Sequence, residues 1–204
     1  MRTLIIGAGG HGQVIADILE CLKTPAIGFI DQDPDQSGVL GTDAEVSKII
    51  STENIDSFII GVGSIRGGAG LRSRLFDQYA GFGIAPRTAI HPSAVVAKSV
   101  RLGNGTVVMA GAILNPGVKS GENVIINTGA ILDHDCDIGA HSHIAPGCVL
   151  SGDTQIGLHC LLGTSTTARN GAEVGDNATV GAGSLLLGKY APDGTYIGVP
   201  ARAI

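Results

Sequence analysis

The sequence predicts a two-part fold: a small parallel α/β unit over residues 1–87 and a left-handed parallel β-helix over residues 88–204. From Ala89 onward the chain divides into 17 consecutive six-residue blocks, with Ile, Leu or Val at the second position except at Ser120 and Ala168. The sixth position is Ala, Val, Ser, Thr or Cys in every block but the last. Before Ala89 this period is absent, and short apolar strands alternate with helical patterns instead. Composition agrees: Gly is 32 of 204 residues and aromatics only 3%, which suits a narrow aliphatic core that turns at glycines.

In the first part, residues 3–6 (TLII) read as a buried strand running into a glycine-rich turn. GQVIADILECL carries the i, i+3, i+4 apolar spacing of a helix packed on a sheet. PAIGFID is a second strand ending at Asp31, and SFIIGVG over 57–63 a third. GLRSRLFDQYA over 70–80 is helical, with Leu71, Leu75 and Phe76 placed on one face. This alternation predicts a parallel sheet of three or four strands, with GFGIAP as the junction.

In the second part the repeat outweighs local propensity. One aliphatic side chain per block fills the axis, and the small sixth residue fits where the chain bends. Three blocks make a coil, so the repeat gives nearly six coils, roughly 27 Å tall at ~4.8 Å per layer. Cys136, Cys148 and Cys160 all occupy the small position and serve as fillers. With Cys21 they form no CxxC pair, so reduced thiols are expected. A net charge of −5 argues against nucleic acid or an anionic membrane as partner. No run approaches the ~20 apolar residues of a membrane span. MRTLIIGAGGHG breaks into glycines too early for a secretory signal, so a cytoplasmic location is expected.

Gly7, Gly9 and Gly12 spell G-x-G-x-x-G after a strand and at a helix start, the setting of a phosphate cradle. Asp31 follows Gly12 by 19 residues, where a ribose-binding carboxylate belongs. An NAD site, a nucleotide-sugar site and a purely structural loop are the three readings. A unit of about 85 residues is half a dinucleotide fold, and one mononucleotide half suits a nucleoside diphosphate sugar better. His11 sits inside this loop, either reaching a ligand or bonded locally at the helix start.

The whole chain, from GAGGHG through FIDQD, IHPSA and INTGAILDHDC to YIGVPAR, resembles the bacterial sugar acetyltransferases of the hexapeptide-repeat superfamily. These acetylate nucleotide-linked amino sugars, and their relatives include sialic acid O-acetyltransferases. The resemblance implies a homotrimer with acetyl-CoA as co-substrate between neighbouring β-helices, and a nucleotide-linked amino sugar on the N-terminal unit. It places the sugar nucleotide at Gly9, Gly10, His11, Asp31, Gln32 and Asp33, and acetyl-CoA at His143, Thr164 and Ala182. No permanently bound cofactor or metal is expected.

Acetyl-CoA is already activated, so the acceptor attacks directly and needs only a base. His134 in ILDHDC fits this role at the fourth, corner position of its block, flanked by Asp133 and Asp135. The family carries a carboxylate, usually Glu, directly after its catalytic histidine; here that residue is Asp135, one methylene shorter. Asn127, seven residues earlier, either bonds the acetyl group or acceptor or belongs to a structural ladder. His141 and His159 lack an adjacent carboxylate and are expected at the surface, and His91 marks the domain junction. The leading function is N-acetylation of a nucleotide-linked 4-amino-4,6-dideoxy sugar in surface-glycan synthesis, with sialic acid O-acetylation as the alternative. A non-catalytic scaffold or a carbonic anhydrase relative is the third reading; for the latter, the spacing of His134, His141 and His143 lacks the required coil-to-coil separation.

Overall fold

A computed structural model describes residues 1–64 and 69–204. The N-terminal unit is a five-stranded parallel sheet in the order β3-β2-β1-β4-β5. Its strands are β1 (Thr3–Ile6), β2 (Gly28–Ile30), β3 (Val39–Gly41), β4 (Ser57–Ile60) and β5 (Ala85–Pro86), with helices α1 (Gly10–Cys21), α2 (Val46–Thr52) and α3 (Ala69–Ala80). β1 and β4 are buried along their whole length, as their unbroken apolar runs require for central strands. The sheet exceeds the expected three or four strands because β3 and β5, three and two residues long, pair at its edges. Strands so short leave no period to detect in the sequence.

Helix α3 is rotated relative to the expected apolar face. Its buried residues are Arg72, Phe76 and Tyr79, while Leu71 is 40% exposed and Leu75 half-buried. Hydropathy alone places an arginine outward, and this one is inward because both of its Nη atoms find acceptors. Arg72 donates to the Val62 carbonyl through Nη1 and to the Asn123 carbonyl and side-chain oxygen through Nη2, at 2.9 and 2.6 Å for the last two. A fully buried cation survives only with such partners.

From Ala89 the chain winds as a parallel β-solenoid with three faces. The first face runs upward from Ala89–Ile90, the second from Val95–Val96 and the third from Arg101–Leu102. Through Leu185–Leu186 the strands pair in parallel 18 residues apart, as in Ile125↔His143 and Leu114↔Leu132, whereas the last coil closes at 16, as in Glu173↔Lys189 and Thr179↔Thr195. The register puts the second residue of each block on the axis: Leu114, Ile126, Leu132, Ile138, Ile144, Leu150 and Leu162 are at most 1% exposed. Ser120 is tolerated there because its hydroxyl takes the Gly103 N–H and faces Thr106. Cys136, Cys148 and Cys160 are fully buried with thiols turned to backbone carbonyls, and burial pushes each up to about 11. They are unreactive packing groups.

The two units share a core. Ile5, Ile15, Ile18, Leu19 and Ile59 pack with Ala89, Val107, Met109 and Ile125 on the lower first face. Helix α1 thus seats the glycine turn directly against the solenoid. Among the described residues, no helix is long and apolar enough to cross a membrane.

Candidate active site

Two groups of polar side chains stand apart on the molecule. The first surrounds the glycine turn between β1 and α1. Gly7, Gly9, Gly10, His11, Asp31, Gly61, Val62 and Gly63 line a cavity of about 380 Å³. It opens at the carboxyl ends of β1 and β4, where the strand order reverses, as ligand crevices of open α/β sheets do. Among the described residues, no side chain caps the N-terminus of helix α1, a setting that suits an anion.

The glycines of the turn differ in purpose. Gly7 has φ +105°, and a Cβ at Gly12 would collide with the Gly7 carbonyl, so both are needed to fold the turn. A Cβ at Gly9 or Gly10 would meet nothing within 4 Å. Gly9→Val is therefore expected to leave the melting temperature nearly unchanged while weakening nucleotide-sugar binding about tenfold or more. Calorimetric titration checks this, with acetyl-CoA affinity as the control; equal loss of both ligands would make the turn a folding element.

Asp31 closes the turn: its Oδ2 accepts the Ala8 N–H at 2.6 Å and its Oδ1 the Asp33 N–H at 3.1 Å. Gln32 donates to Asp43 at 2.9 Å. His11 leans toward the solenoid, where burial, Arg72 and His143 hold its imidazole down to about 3. His143 lies buried on the first face, held at about 4 by burial and by Arg72, with Asn127 Nδ2 2.9 Å from its Nε2. Both rings are neutral near pH 7. Asn127 thus hydrogen-bonds a ring of the first face.

Among the described residues, four polar atoms here are buried without a partner: His11 Nε2, Ser64 Oγ, Arg72 Nε and His143 Nδ1. The sequence assigns Ser64 and Arg72 no site role and suggests a strand through residues 61–63, whereas β4 ends at Ile60. The pair of glycines directly after β4 was the one available signal.

The second group sits on the corner between the second and third faces, opposite the first face. His134 Nδ1 lies 3.0 Å from Asp135 Oδ2, and both side chains are half-exposed or more. Asp133 accepts the His134 backbone N–H at 2.8 Å and the Asn115 side-chain amide at 2.8 Å. Asp135 takes φ +59°, a left-handed conformation that Asp tolerates. The ring lies over Gly152 one coil up, where any Cβ would collide with it. The Asp135 bond, with Asp133 and Asp153 nearby, raises the His134 pKa. Such an imidazole is a stronger base, and its Nε2 makes no hydrogen bond among the described residues.

Thr164 and Ala182 are exposed at the corner between the first and second faces, one coil apart, the Gly183 N–H donating to the Thr164 carbonyl. They stand on the same side as His143, so His134 is not among them. His141 and His159 correct the expectation of surface rings. His141 is 8% exposed and stacks on His159, with 4.9 Å between centroids, while Phe76 of α3 packs edge-on against it. Docking of α3 covers this corner, and no sequence period reports it. Among the described residues, His134, Asp135 and Asp153, and separately Asp17, Cys21 and His91, bring donor atoms within 4.8 Å and could hold a cation.

The chain is similar to known proteins over its whole length. Residues 2–78 fit the PglD N-terminal domain, and residues 154–187 the hexapeptide repeat of succinyl-transferase. A point variant of perosamine N-acetyltransferase from Caulobacter crescentus, bound to CoA and GDP-perosamine, superposes with a TM-score of 0.95 and 33% identity. It is matched over 100% of this chain and 97% of its own. The acetyltransferase domain of PglB from Neisseria gonorrhoeae FA1090, with acetyl coenzyme A, gives 0.92 and 35%, over 100% and 98% of the two chains. WeeI from Acinetobacter baumannii AYE gives 0.89 at 21% identity, over the full length of both, and shares the fold. No curated protein matches the sequence.

Proposed function

Because the chain belongs to the family of hexapeptide-repeat nucleotide-sugar N-acetyltransferases with a PglD-type N-terminal domain, we propose that it acetylates the amine of a nucleotide-linked 4-amino-4,6-dideoxy sugar. Acetyl-CoA is the donor. The observation that carries this reading is the His134–Asp135 pair on an open corner, in a chain whose glycine cavity suits a sugar nucleotide. The Caulobacter crescentus relative holds CoA and GDP-perosamine, the two ligand classes the reading requires.

The reaction needs no acyl-enzyme. The sugar amine attacks the thioester carbonyl, and His134 Nε2 removes its proton as the C–N bond forms. The tetrahedral intermediate collapses with cleavage of the C–S bond. The proton then passes from His134 to the CoA thiolate, giving the amide, free CoA and a neutral imidazole. Asp135 stabilises the imidazolium between these transfers.

Within one chain the parts are separated. The glycine cavity lies against the first face and His134 on the opposite edge, roughly 15 Å across a prism with about six residues per side. A second copy supplies what is missing, its His134 reaching the cavity of its neighbour, as in a closed ring of three. Thr164, Ala182 and His143 then line the acetyl-CoA groove from one copy while His134 faces it from the next.

Acetyl transfer is followed as CoA release with nucleotide-linked 4-amino sugars and with sialic acid; turnover of only the latter would favour the hydroxyl acceptor. Mixing His134→Ala and Gly9→Val chains, unfolded and refolded together and assayed at nucleotide-sugar concentrations too low to fill the weakened Gly9→Val site, is expected to restore activity to about a quarter of wild type. Mixtures as inactive as either parent would place the whole site within one chain.

A further inference from the structure

We propose that the cavity beyond Asp31 reads the nucleobase, and that Asp43 selects guanine. This rests on the nucleotide-sugar reading above and adds the identity of the nucleotide.

The cavity has a volume of about 290 Å³ and joins the glycine cavity at Gly7, Asp31 and Val62. A diphosphate at the start of α1 places its ribose at Asp31 and its base one step further, in this second space. The walls are aliphatic: Ile6, Ile30, Val62, Leu71 and Leu75. Flat faces of that kind hold a ring without distinguishing one base from another.

Discrimination falls to the polar side, where Gln32 and Asp43 stand. Asp43 is fixed from below. Tyr79, itself fully buried, donates its hydroxyl to Oδ1 at 2.5 Å, and Gln32 Nε2 donates to Oδ2 at 2.9 Å. Burial and the neighbouring carboxylate raise the Tyr79 pKa, so it remains a donor at any working pH. Among the described residues, no Lys or Arg pairs with Asp43. The carboxylate therefore keeps a lone pair on each oxygen and a negative charge that two further donors would complete.

Only guanine offers two donors side by side, its N1–H and N2–H. Uracil and thymine present a single N–H between two carbonyls, whose lone pairs would face the carboxylate. Adenine and cytosine set one amino group beside a ring acceptor. A site built for paired donors rejects bases that lack them, because its own oxygens are left unpaired.

Calorimetric titration of the full chain with GDP, UDP, dTDP and ADP tests this. GDP is expected to bind about tenfold or more tighter than the others, the usual discrimination of one bidentate pair. Asp43→Asn should abolish that preference by weakening GDP while leaving UDP within about threefold. Tyr79→Phe, which frees the carboxylate without removing it, should narrow the preference and serves if Asp43→Asn fails to fold by circular dichroism. Equal affinities for GDP and UDP, or a preference that survives in both variants, would overturn the assignment of Asp43. Binding of acetyl-CoA but of no nucleotide would overturn the nucleotide-sugar reading as well.

Discussion

Replacing His134 with Ala is expected to lower kcat by about 10²–10⁴ while the chain stays folded and both substrates still bind. The side chain is half-exposed and, among the described residues, hydrogen-bonds one side chain, Asp135, so little folding energy depends on it. Its surroundings bear on basicity instead. The Asp135 bond raises its pKa, and a base must be neutral to accept a proton. The wild-type rate should therefore climb between about pH 6 and 8, as the imidazolium deprotonates, and then level off. Asp135→Asn removes the anion, which lowers that pKa and moves the rising limb to lower pH. Its plateau should fall less than in His134→Ala, because a weaker base still accepts the proton. Gly152→Ala offers an independent check, since a methyl there displaces the ring without touching its chemistry. Should His134→Ala keep half of wild-type kcat with an unaltered pH profile, the corner is not the site of proton transfer. His143 and His11 are poor replacements, because burial holds them at about 4 and about 3.

The contrast between these histidines marks what the sequence could convey. The solenoid register was legible because each block restates it, so that even Ser120 could be placed on the axis before its hydrogen bonds were visible. The corner position of His134 follows from the same count. Contacts between the two units have no period and were invisible: Arg72 turned inward, His141 under Phe76, and His11 against His143. Each depends on how α3 and the glycine turn dock on the first face. A chain read locally cannot state the sign of such packing, and hydropathy misleads at Arg72 because it counts the charge but not the carbonyls that meet it. The polar groups around Asp43 were hidden for another reason. Tyr79 and Gln32 reach it from separations of 36 and 11 residues, and only the folded sheet makes them neighbours.

Two residues before His134, the same kind of substitution should have the opposite result. Leu132 is wholly inaccessible, stacked on the axis with Leu114 below and Leu150 above. Leu132→Asp removes an aliphatic group whose truncation alone costs about 2–5 kcal/mol. It also asks a carboxylate to share the axis with Leu and Ile, at several kcal/mol more or at the cost of binding a proton. The sum approaches the whole stability of an ordinary domain, about 5–15 kcal/mol. Ser120 does not soften this expectation, since its hydroxyl has partners in Gly103 and Thr106 and carries no charge. A buried Asp would have a folded-state pKa raised above its unfolded value, so any residual structure should be firmest at low pH and vanish as pH rises through that pKa. Ile126→Asp, equally inaccessible on the first face, should behave alike. Circular dichroism melts should show neither variant folding at pH 7, while His134→Ala melts with the wild type. A cooperative wild-type transition in Leu132→Asp would mean that position two of the block does not face the axis, and the corner assigned to His134 would move with it.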